Sequence, residues 1–407
     1  MQPNVLPGIE PVKPELLAEL RSALLVDLSA QDRLAAIEDR HAAIANLVSY
    51  AANIGLTLDP TALGHELRHD PVGIDRFMPW PVTGQQRISP QWLPVGLSND
   101  GVQMTVEWAH FAGEQLTRSF FEGHMRVARN RPISQLFGWR TPLGAMLSDP
   151  DLADPPELDG IVFHMSRCGS TLVARQLGQL PDAVVLSEPA PVDDLIQFCA
   201  SQPELPLETK VALLRAMVFA LTPERSGPVR YRFLKADGWH AGSIPLFRAA
   251  FPRTPFVFLY RDPVEVMLSQ RAEPGWLTVP GTVPRFLGIA DDDAIPGVDF
   301  SAKVIGTICA AAADHAAELA GPYINYAELP LAITSRILPH FGIEPDAATL
   351  ERITQISRID SKRPTETFDR TTRESASDAT PEILVAVERH LAEPLARIAG
   401  LNPNQTD

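Results

Sequence analysis

The stretch from Ile161 to Val173 constrains the fold of this chain more than any other segment. Its beginning, Ile161 to Phe163, is the short apolar run of a buried strand. In the polar loop that follows, Gly169 lets the backbone approach a ligand, and Ser170 and Thr171 place hydroxyls at the start of a helix. The first amides of a helix have no internal partner and lie at the positive end of its dipole. The segment therefore predicts an anion-binding loop between a strand and a helix.

The cationic residue of this loop occupies a different position from the lysine of nucleotide-hydrolysing P-loops. Those loops place a lysine between the last glycine and the serine or threonine, where it reaches the terminal phosphates. Here Ser170 follows Gly169 directly, and the cation is Arg167, two residues before the glycine. This pattern resembles the loop with which sulfotransferases hold the 5'-phosphosulfate end of 3'-phosphoadenosine 5'-phosphosulfate (PAPS). The resemblance implies donor contacts from Arg167, Cys168, Gly169, Ser170, Thr171 and Leu172.

A second segment, Phe251 to Ser269, supports the same resemblance. It contains a turn, an apolar strand, and an Arg-Asp-Pro sequence at a helix start, where Pro263 suits the first helical position. It resembles the sulfotransferase segment that grips the 3'-phosphate of the donor, and Arg261 and Ser269 fall on the two family contacts. An arginine offers phosphate a forked, charge-assisted hydrogen bond.

Two later segments extend the resemblance over roughly residues 158 to 400. Tyr323 to Leu329 is similar to a Tyr-Glu-Asp-Leu strand of the family. Lys362 and Arg363 lie in a polar loop where the family often brings basic residues over the cofactor, although a solvated charge run explains them equally well.

The resemblance also implies the catalytic residues. Lys235 ends a strand similar to the family's lysine strand, in which the lysine neutralises the bridging oxygen as the sulfuryl group leaves. The cytosolic branch has a histidine base two residues later, where this chain has Asp237. Glu188, at the end of another strand, resembles the base of the tyrosylprotein and several bacterial sulfotransferases. Glu188 is the first candidate for the base, Asp237 the second and His240 the third; the two carboxylates could instead cap helices.

These elements predict an α/β fold: a three-layer, P-loop sulfotransferase-like domain with a central parallel sheet at residues 158–400, and an N-terminal helical extension. Residues 1–75 form the helical segment, with Ser29 and Asp32 as a capping box, and residues 76–157 an aromatic- and proline-rich extension or linker. Residues 29–70 resemble a nitrogen-fixation-associated leader-peptide domain, which hints at a peptide acceptor.

The pentapeptide from His65 to His69 matches the H-E-x-x-H pattern of zinc proteases, in which two histidines one helical turn apart bind the metal. No third ligand stands out downstream, and an exposed amphipathic helix explains both histidines. We therefore expect no metal.

The net charge of −15 for 407 residues argues against nucleic acid or an anionic membrane as a partner, because both demand a basic face. PAPS is itself a polyanion, so its site must be a local basic island made by Arg167, Lys235 and Arg261. The chain has no apolar run of 18 residues and begins without the features of a signal peptide, which predicts a cytoplasmic protein.

The three cysteines cannot all pair, and none has metal-ligand spacing, so we expect reduced thiols. Cys168 precedes a helix start, where a thiol can have a lowered pKa, and its oxidation could switch the enzyme off; packing of a small residue is the preferred explanation of the cysteine.

The predicted function is transfer of a sulfuryl group from PAPS to a hydroxyl or amine of a small-molecule or peptide acceptor, which leaves adenosine 3',5'-bisphosphate (PAP). One alternative is a P-loop kinase that uses ATP with Mg²⁺ held by Asp262; the missing Walker lysine disfavours it. Another is a non-catalytic scaffold that holds a peptide on the N-terminal helices. The sequence does not indicate the acceptor or the oligomeric state.

Overall fold

The computed structural model of this chain describes residues 11–67, 82–225, 227–289, 297–359 and 376–402. Lys362, Arg363 and His69 lie outside these ranges, so what the sequence indicates for them stays a prediction. The chain divides into two compact units. The first comprises Met1–Gln115, Glu122–Asp154 and Phe219–Pro228, and the second Leu116–Phe121, Pro155–Val218 and Val229–Asp407.

The first unit contains a three-stranded antiparallel sheet in the order β1-β2-β3. Its strands are β1 (Trp92–Asn99), β2 (Met104–His110) and β3 (Arg140–Pro142). The helices that precede and follow the first two strands are α1 (Pro14–Val26), α2 (Leu28–Ala35), α3 (Arg40–Asn53), α4 (Pro60–Glu66), α5 (Phe121–Asn130) and α6 (Pro132–Phe137).

The start of α2 differs from the expected capping box. Asp27 is the N-cap, and its carboxylate accepts a hydrogen bond from the backbone N–H of Ala30 at 2.8 Å. Ser29 lies inside the helix, where its hydroxyl accepts from Arg33 at 2.6 Å. The capping box of Ser29 and Asp32 was therefore wrong, because an aspartate two residues earlier takes the capping position.

The helix that carries His65 is short. α4 ends at Glu66, and the backbone of Leu67 has φ −84° and ψ 77°, which is not helical. The zinc protease pattern needs both histidines on one face of a continuous helix. His69 lies outside the described residues, so the zinc pattern stays a prediction from the sequence.

A buried polar cluster connects α2 to β1 and β2. The indole N–H of Trp92 donates to Gln31 at 2.8 Å, and Trp92 packs edge-on against His110 at 5.5 Å between ring centroids. His110 accepts from the backbone N–H of Ala112 at Nδ1, so its proton is on Nε2, which lies 3.1 Å from Asp32. Burial lowers the pKa of His110 to about 4.

The second unit is built on a five-stranded parallel sheet in the order β5-β6-β4-β7-β8, which confirms the predicted α/β class with a central parallel sheet. The strands are β4 (Gly160–His164), β5 (Ala183–Ser187), β6 (Tyr231–Lys235), β7 (Phe256–Tyr260) and β8 (Tyr323–Asn325). The helices are α7 (Ser170–Leu177), α8 (Ala190–Ser201), α9 (Leu207–Ala220), α10 (Ile244–Ala250), α11 (Pro263–Ala272), α12 (Val298–Asp314), α13 (Ala316–Leu319), α14 (Leu338–His340), α15 (Ala347–Ile356), α16 (Pro381–His390) and α17 (Ala392–Gly400).

The core of this unit follows from its apolar strands. Every residue of β4 and β7 is buried, as expected for strands covered on both faces. Phe163 packs edge-on against Phe247 and Phe256, with ring centroids 5.4 Å apart in both pairs.

The order of the strands defines where a ligand would bind. From β4 the chain passes through α7 to β5 on one side of the sheet, whereas from β7 it passes to β8 on the other side. Ligands of such sheets bind beyond the carboxyl ends of the strands, at the point where the winding direction changes. That point lies between β4 and β7, which pair from Ile161 with Phe256 to His164 with Leu259.

Among the described helices, none has the length and apolar character needed to cross a membrane.

Candidate active site

The loop after β4 has the predicted strand, turn and helix. β4 ends at His164, α7 begins at Ser170, and Gly169 is its N-cap with a left-handed φ of +83°. A Cβ atom on Gly169 would lie 2.7 Å from Leu329 and 2.9 Å from Tyr326, so a side chain cannot fit. The glycine is therefore required both by backbone conformation and by packing against these two residues.

Three residues of the candidate site other than glycine have a left-handed backbone. The φ angles are +80° at Ser166, +52° at Arg167 and +50° at Glu188. Such conformations cost about 1–3 kcal/mol each and concentrate at ligand sites. Ser166 and Arg167 lie in the loop after β4, and Glu188 directly follows β5. The strained residues of the site are therefore located at the carboxyl ends of the strands.

Arg167 is held by the segment that follows α11. Its guanidinium contacts the Glu273 carboxylate at 2.5 Å and also donates to the backbone carbonyl of Glu273. The arginine side chain is only 10% exposed, whereas that of Glu273 is 57% exposed. An anion that binds the loop would therefore compete with Glu273 for this cation.

Arg261 connects the end of β7 to the loop. Its Nε donates to Glu265 at 2.7 Å, its Nη1 donates to the carbonyl of Arg167 at 3.3 Å, and its guanidinium lies 4.3 Å from the centre of the Tyr326 ring. Ser269 lies two turns along α11 and is half-buried. The side chain of Arg261 is thus hydrogen-bonded to the backbone of Arg167, the other predicted cation of the site.

Lys235, buried at the end of β6, forms an ion pair with Glu188, which directly follows β5 and has a side chain that is 25% exposed. Lys235 Nζ lies 2.6 Å from Glu188 Oε1 and 3.2 Å from the hydroxyl of Ser187, and it sits 4.6 Å above the Phe120 ring. Burial alone would raise the pKa of Glu188, but the ammonium group of Lys235 and the nearby imidazole of His164 outweigh it and hold that pKa below its usual range.

Glu188 does not cap the helix that follows it. The N-cap of α8 is Pro189, which makes no side-chain capping bond. Capping therefore does not explain Glu188.

Asp237, two residues after Lys235, has the opposite electrostatic environment. Burial, reinforced by the nearby carboxylates of Asp193 and Glu188, raises its pKa well above the usual value for an aspartate. Its Oδ2 is buried without a hydrogen-bond partner among the described residues. The pKa of Glu188 is thus lowered and that of Asp237 raised. Opposite shifts of two neighbouring carboxyl groups are typical of sites where one acts as an acid and the other as a base.

His240 is occupied at both ring nitrogens. Nδ1 accepts from the backbone N–H of Asp237 at 3.2 Å, and Nε2 lies 2.9 Å from Asp193 Oδ1, which also accepts from the indole of Trp239 at 2.7 Å. No ring nitrogen is left to take a proton from an acceptor. These contacts disfavour His240 as the base relative to Glu188 and Asp237.

The same cluster is the place where a metal ion could be sought. Ligand-type atoms of Asp193, Asp237 and His240 lie within 4.8 Å of one another. However, His240 Nε2 must carry a proton to donate to Asp193, because its Nδ1 is an acceptor. The arrangement fits a hydrogen-bond network better than a metal site.

The expected lowered pKa of Cys168 was wrong. The thiol is completely buried, and burial raises its pKa to about 12 in spite of nearby backbone amides. A helix start lowers the pKa of a thiol only where the thiolate is also solvated or paired. The suggested oxidation switch therefore loses its basis.

The remaining predicted residues lie where the elements place them. Ser170, Thr171 and Leu172 form the first turn of α7, with both hydroxyl residues buried and Leu172 half-buried. Asp262 is the N-cap of α11, and its carboxylate accepts from the backbone N–H of Glu265 at 3.0 Å.

The sequence reasoning missed His164 and Glu273. His164 stands at the carboxyl end of β4, a position from which a side chain can reach the site, so its place in the pattern could have indicated it. Glu273 and Arg167 are 106 residues apart in the sequence, and no local sequence pattern predicts their contact.

No family model matches the chain, and no curated protein matches it in sequence. Among solved structures, it is similar to a sulfotransferase from Mycobacterium avium, with 13% identity over 61% of this chain and 80% of that chain and a TM-score of 0.36. It is also similar to the sulfotransferase domain of the Synechococcus olefin synthase, with 16% identity over 58% of this chain and 94% of that one and a TM-score of 0.34. A sulfotransferase from Alicyclobacillus acidocaldarius has 13% identity over 60% of this chain and 96% of that one, with a TM-score of 0.36.

Proposed function

We propose that this chain is a sulfotransferase that moves the sulfuryl group of PAPS to a hydroxyl or amine of a small-molecule or peptide acceptor. The observation that carries the proposal is that a pair of arginines and a lysine–glutamate ion pair both lie at the carboxyl ends of one sheet. Arg167 and Arg261 are joined at the point where the winding direction changes, and the Lys235–Glu188 pair ends the two neighbouring strands on one side. Because the chain as a whole has a net charge of −15, cations gathered at one place indicate a site for an anion.

The donor would lie with its 5'-phosphosulfate against the loop amides and Arg167, and its 3'-phosphate against Arg261 and Ser269. Arginine suits both places because its fork makes charge-assisted hydrogen bonds to phosphate oxygens. Both arginines have glutamate partners within the chain: Arg167 lies 2.5 Å from Glu273, and Arg261 lies 2.7 Å from Glu265. Donor binding therefore exchanges internal carboxylates for phosphate oxygens.

The chemistry follows from the ion pair. The acceptor oxygen or nitrogen attacks sulfur, the bond between sulfur and the bridging oxygen breaks, and its electron pair leaves on the 5'-phosphate of PAP. The proton of the acceptor passes to Glu188. As Glu188 loses its charge, Lys235 is released from the ion pair and its charge becomes available to the departing oxygen.

Donor binding also prepares the base. While Lys235 is paired with Glu188, it holds the pKa of that carboxylate low, which makes Glu188 a weak base. A bound phosphosulfate draws Lys235 toward its own negative charge and so strengthens Glu188 as a base. Asp237 keeps its proton more readily and is the second candidate for proton transfer.

Calorimetry of the full chain with PAP, and separately with ATP and Mg²⁺, tests the donor. We expect binding of PAP and a roughly 10- to 100-fold loss of affinity in Arg261→Ala, the cost of one hydrogen bond to a charged group. Binding of ATP with Mg²⁺ but not of PAP would favour the kinase alternative. Binding of neither would favour the scaffold.

The acceptor is found by incubating enzyme and PAPS with fractions of a cell lysate. Mass spectrometry then searches small molecules and peptides for products that have gained one sulfuryl group. A reaction with boiled enzyme is the control.

A further inference from the structure

We infer that His164 is a positioning residue that fixes both the donor loop and the carboxylate of Glu188. The inference deepens the proposed function and rests on it. His164 ends β4, where its side chain lies between the loop that begins the donor site and the residue that follows β5.

The hydrogen bonds of the loop determine which nitrogen of His164 carries a proton. The backbone N–H of Ser166 donates to Nδ1 at 3.1 Å, so Nδ1 has no hydrogen. The residue is 4% exposed, and this burial lowers its pKa, which keeps the ring neutral. The single proton of the neutral ring is then on Nε2, which lies 3.3 Å from Oε1 of Glu188.

Two nitrogens consequently face one oxygen of Glu188, although only Lys235 has the geometry of a hydrogen bond to it. Lys235 Nζ at 2.6 Å and His164 Nε2 at 3.3 Å both face Oε1. No partner for Oε2 occurs in the described part of the chain, so this oxygen is the one available to an acceptor's proton. A carboxylate held at one oxygen cannot rotate freely, and the other oxygen keeps a fixed direction.

The two residues that His164 contacts are both strained. Ser166 and Glu188 have φ angles of +80° and +50°. Left-handed residues persist only where the surroundings hold them, and His164 offers one nitrogen to each. A rearrangement of the donor loop would therefore move the imidazole, and the imidazole would move the base.

Two substitutions distinguish the contact of His164 with Ser166 from its contact with Glu188. In His164→Asn the side-chain oxygen can still accept from Ser166, but the shorter side chain does not reach Glu188. In His164→Gln the amide N–H can still donate to Glu188. Lys235 and Asp237, the other charged groups beside Glu188, are unchanged in both variants.

The first readout needs no substrate. In ¹⁵N NMR of histidine-labelled protein, assigned with the His164→Gln variant, we expect Nδ1 of His164 to be unprotonated and Nε2 protonated at pH 7 to 8. Infrared spectra of protein with ¹³C-labelled glutamate, with Glu188→Gln subtracted, follow the Glu188 carboxylate. That carboxylate should take up its proton at higher pH in His164→Asn than in the wild type or His164→Gln.

The second readout uses PAPS and an identified acceptor. We expect kcat to fall about 10- to 100-fold in His164→Asn, as for a misplaced catalytic group, with the KM for PAPS changed less than threefold. His164→Gln should recover most of kcat. A protonated Nδ1, or an unchanged Glu188 titration in His164→Asn, would overturn the inference. Failure of the wild type to bind PAP would instead refute the proposed function while leaving the spectroscopic result intact.

Discussion

Lys235 and Glu188 are joined twice, once through their side chains and once through their backbones. Nζ of Lys235 lies 2.6 Å from Glu188 Oε1, and the backbone N–H of Glu188 donates to the carbonyl of Lys235 at 2.9 Å. The pairing of β5 with β6 places Ser187 opposite Lys235, so the register of the sheet itself brings Glu188 next to the lysine. A shift of this register would separate the two groups.

Glu188→Gln should lower kcat about 10²- to 10⁴-fold, the usual contribution of a general base. The same change removes the internal partner of Lys235, so PAP should bind at least as tightly as to the wild type. Turnover with PAPS and calorimetry with PAP measure the two effects. Glu344→Gln, an exposed glutamate elsewhere in the second unit, is the matched control. A kcat within twofold of the wild type would exclude Glu188 as the base.

Glu273→Gln should tighten PAP binding a few-fold, because the ligand no longer competes with a carboxylate for Arg167. The gain should shrink as salt rises, since Glu273 is largely exposed and the interaction is screened. Titrations of PAP at low and high ionic strength measure it, with the exposed Glu382→Gln as control. Unchanged or weaker binding would contradict competition between Glu273 and the donor.

Asp237→Asn should stabilise the protein increasingly as the pH rises above about 4, the usual pKa of aspartate. Burial and the neighbouring carboxylates raise the pKa of Asp237 in the folded chain. The folded state therefore keeps a proton that the unfolded state has lost, and stability falls with rising pH until the folded pKa is passed. Thermal unfolding of both proteins from pH 4 to 8 measures the difference. A wild type that becomes relatively more stable with rising pH would reverse this sign.

The first unit should lose stability between about pH 6.5 and pH 4 through His110, whose pKa burial lowers to about 4. In this window the unfolded chain binds a proton that the folded chain does not, so stability falls with falling pH. One such group contributes at most about 1.4 kcal/mol per pH unit. Urea unfolding should give a flatter pH dependence in His110→Gln, whatever its stability at neutral pH. An equal slope in the two proteins would show that His110 does not titrate as inferred.

Cys168 should not react with a thiol reagent in the folded protein at pH 8. Its pKa of about 12 leaves roughly one molecule in 10⁴ as thiolate, and the thiol is buried. Cys199 and Cys309 are buried as well, so all three thiols should react only after unfolding. Absorbance during treatment with an aromatic disulfide reagent, with and without denaturant, counts the reacting thiols. Rapid reaction of one thiol in the native protein, lost in Cys168→Ser, would contradict the burial of this residue.

Much of the second unit could be predicted from local patterns. Apolar runs ending in charged or glycine-containing loops placed β4, β6 and β7, and Gly169 and Pro263 marked the starts of two helices. These signals are local because strand burial, left-handed backbone and proline at a helix start depend on a few neighbouring residues.

The first unit was less legible. The capping position of α2 shifted by two residues because Asp27 and Ser29 are both acceptable caps, and packing decides between them.

The sequence by itself determined which residue types stand at the carboxyl ends of the strands: Arg167 after β4, Glu188 after β5, Lys235 at the end of β6 and Arg261 after β7. Only the tertiary structure decided how they are partnered. Whether Glu188 meets Lys235, and whether His164 faces Glu188, depends on strand order and register across tens of residues. The protonation of Cys168 and Asp237 was also decided there, because burial is a property of the packed fold and outweighs what adjacent residues suggest.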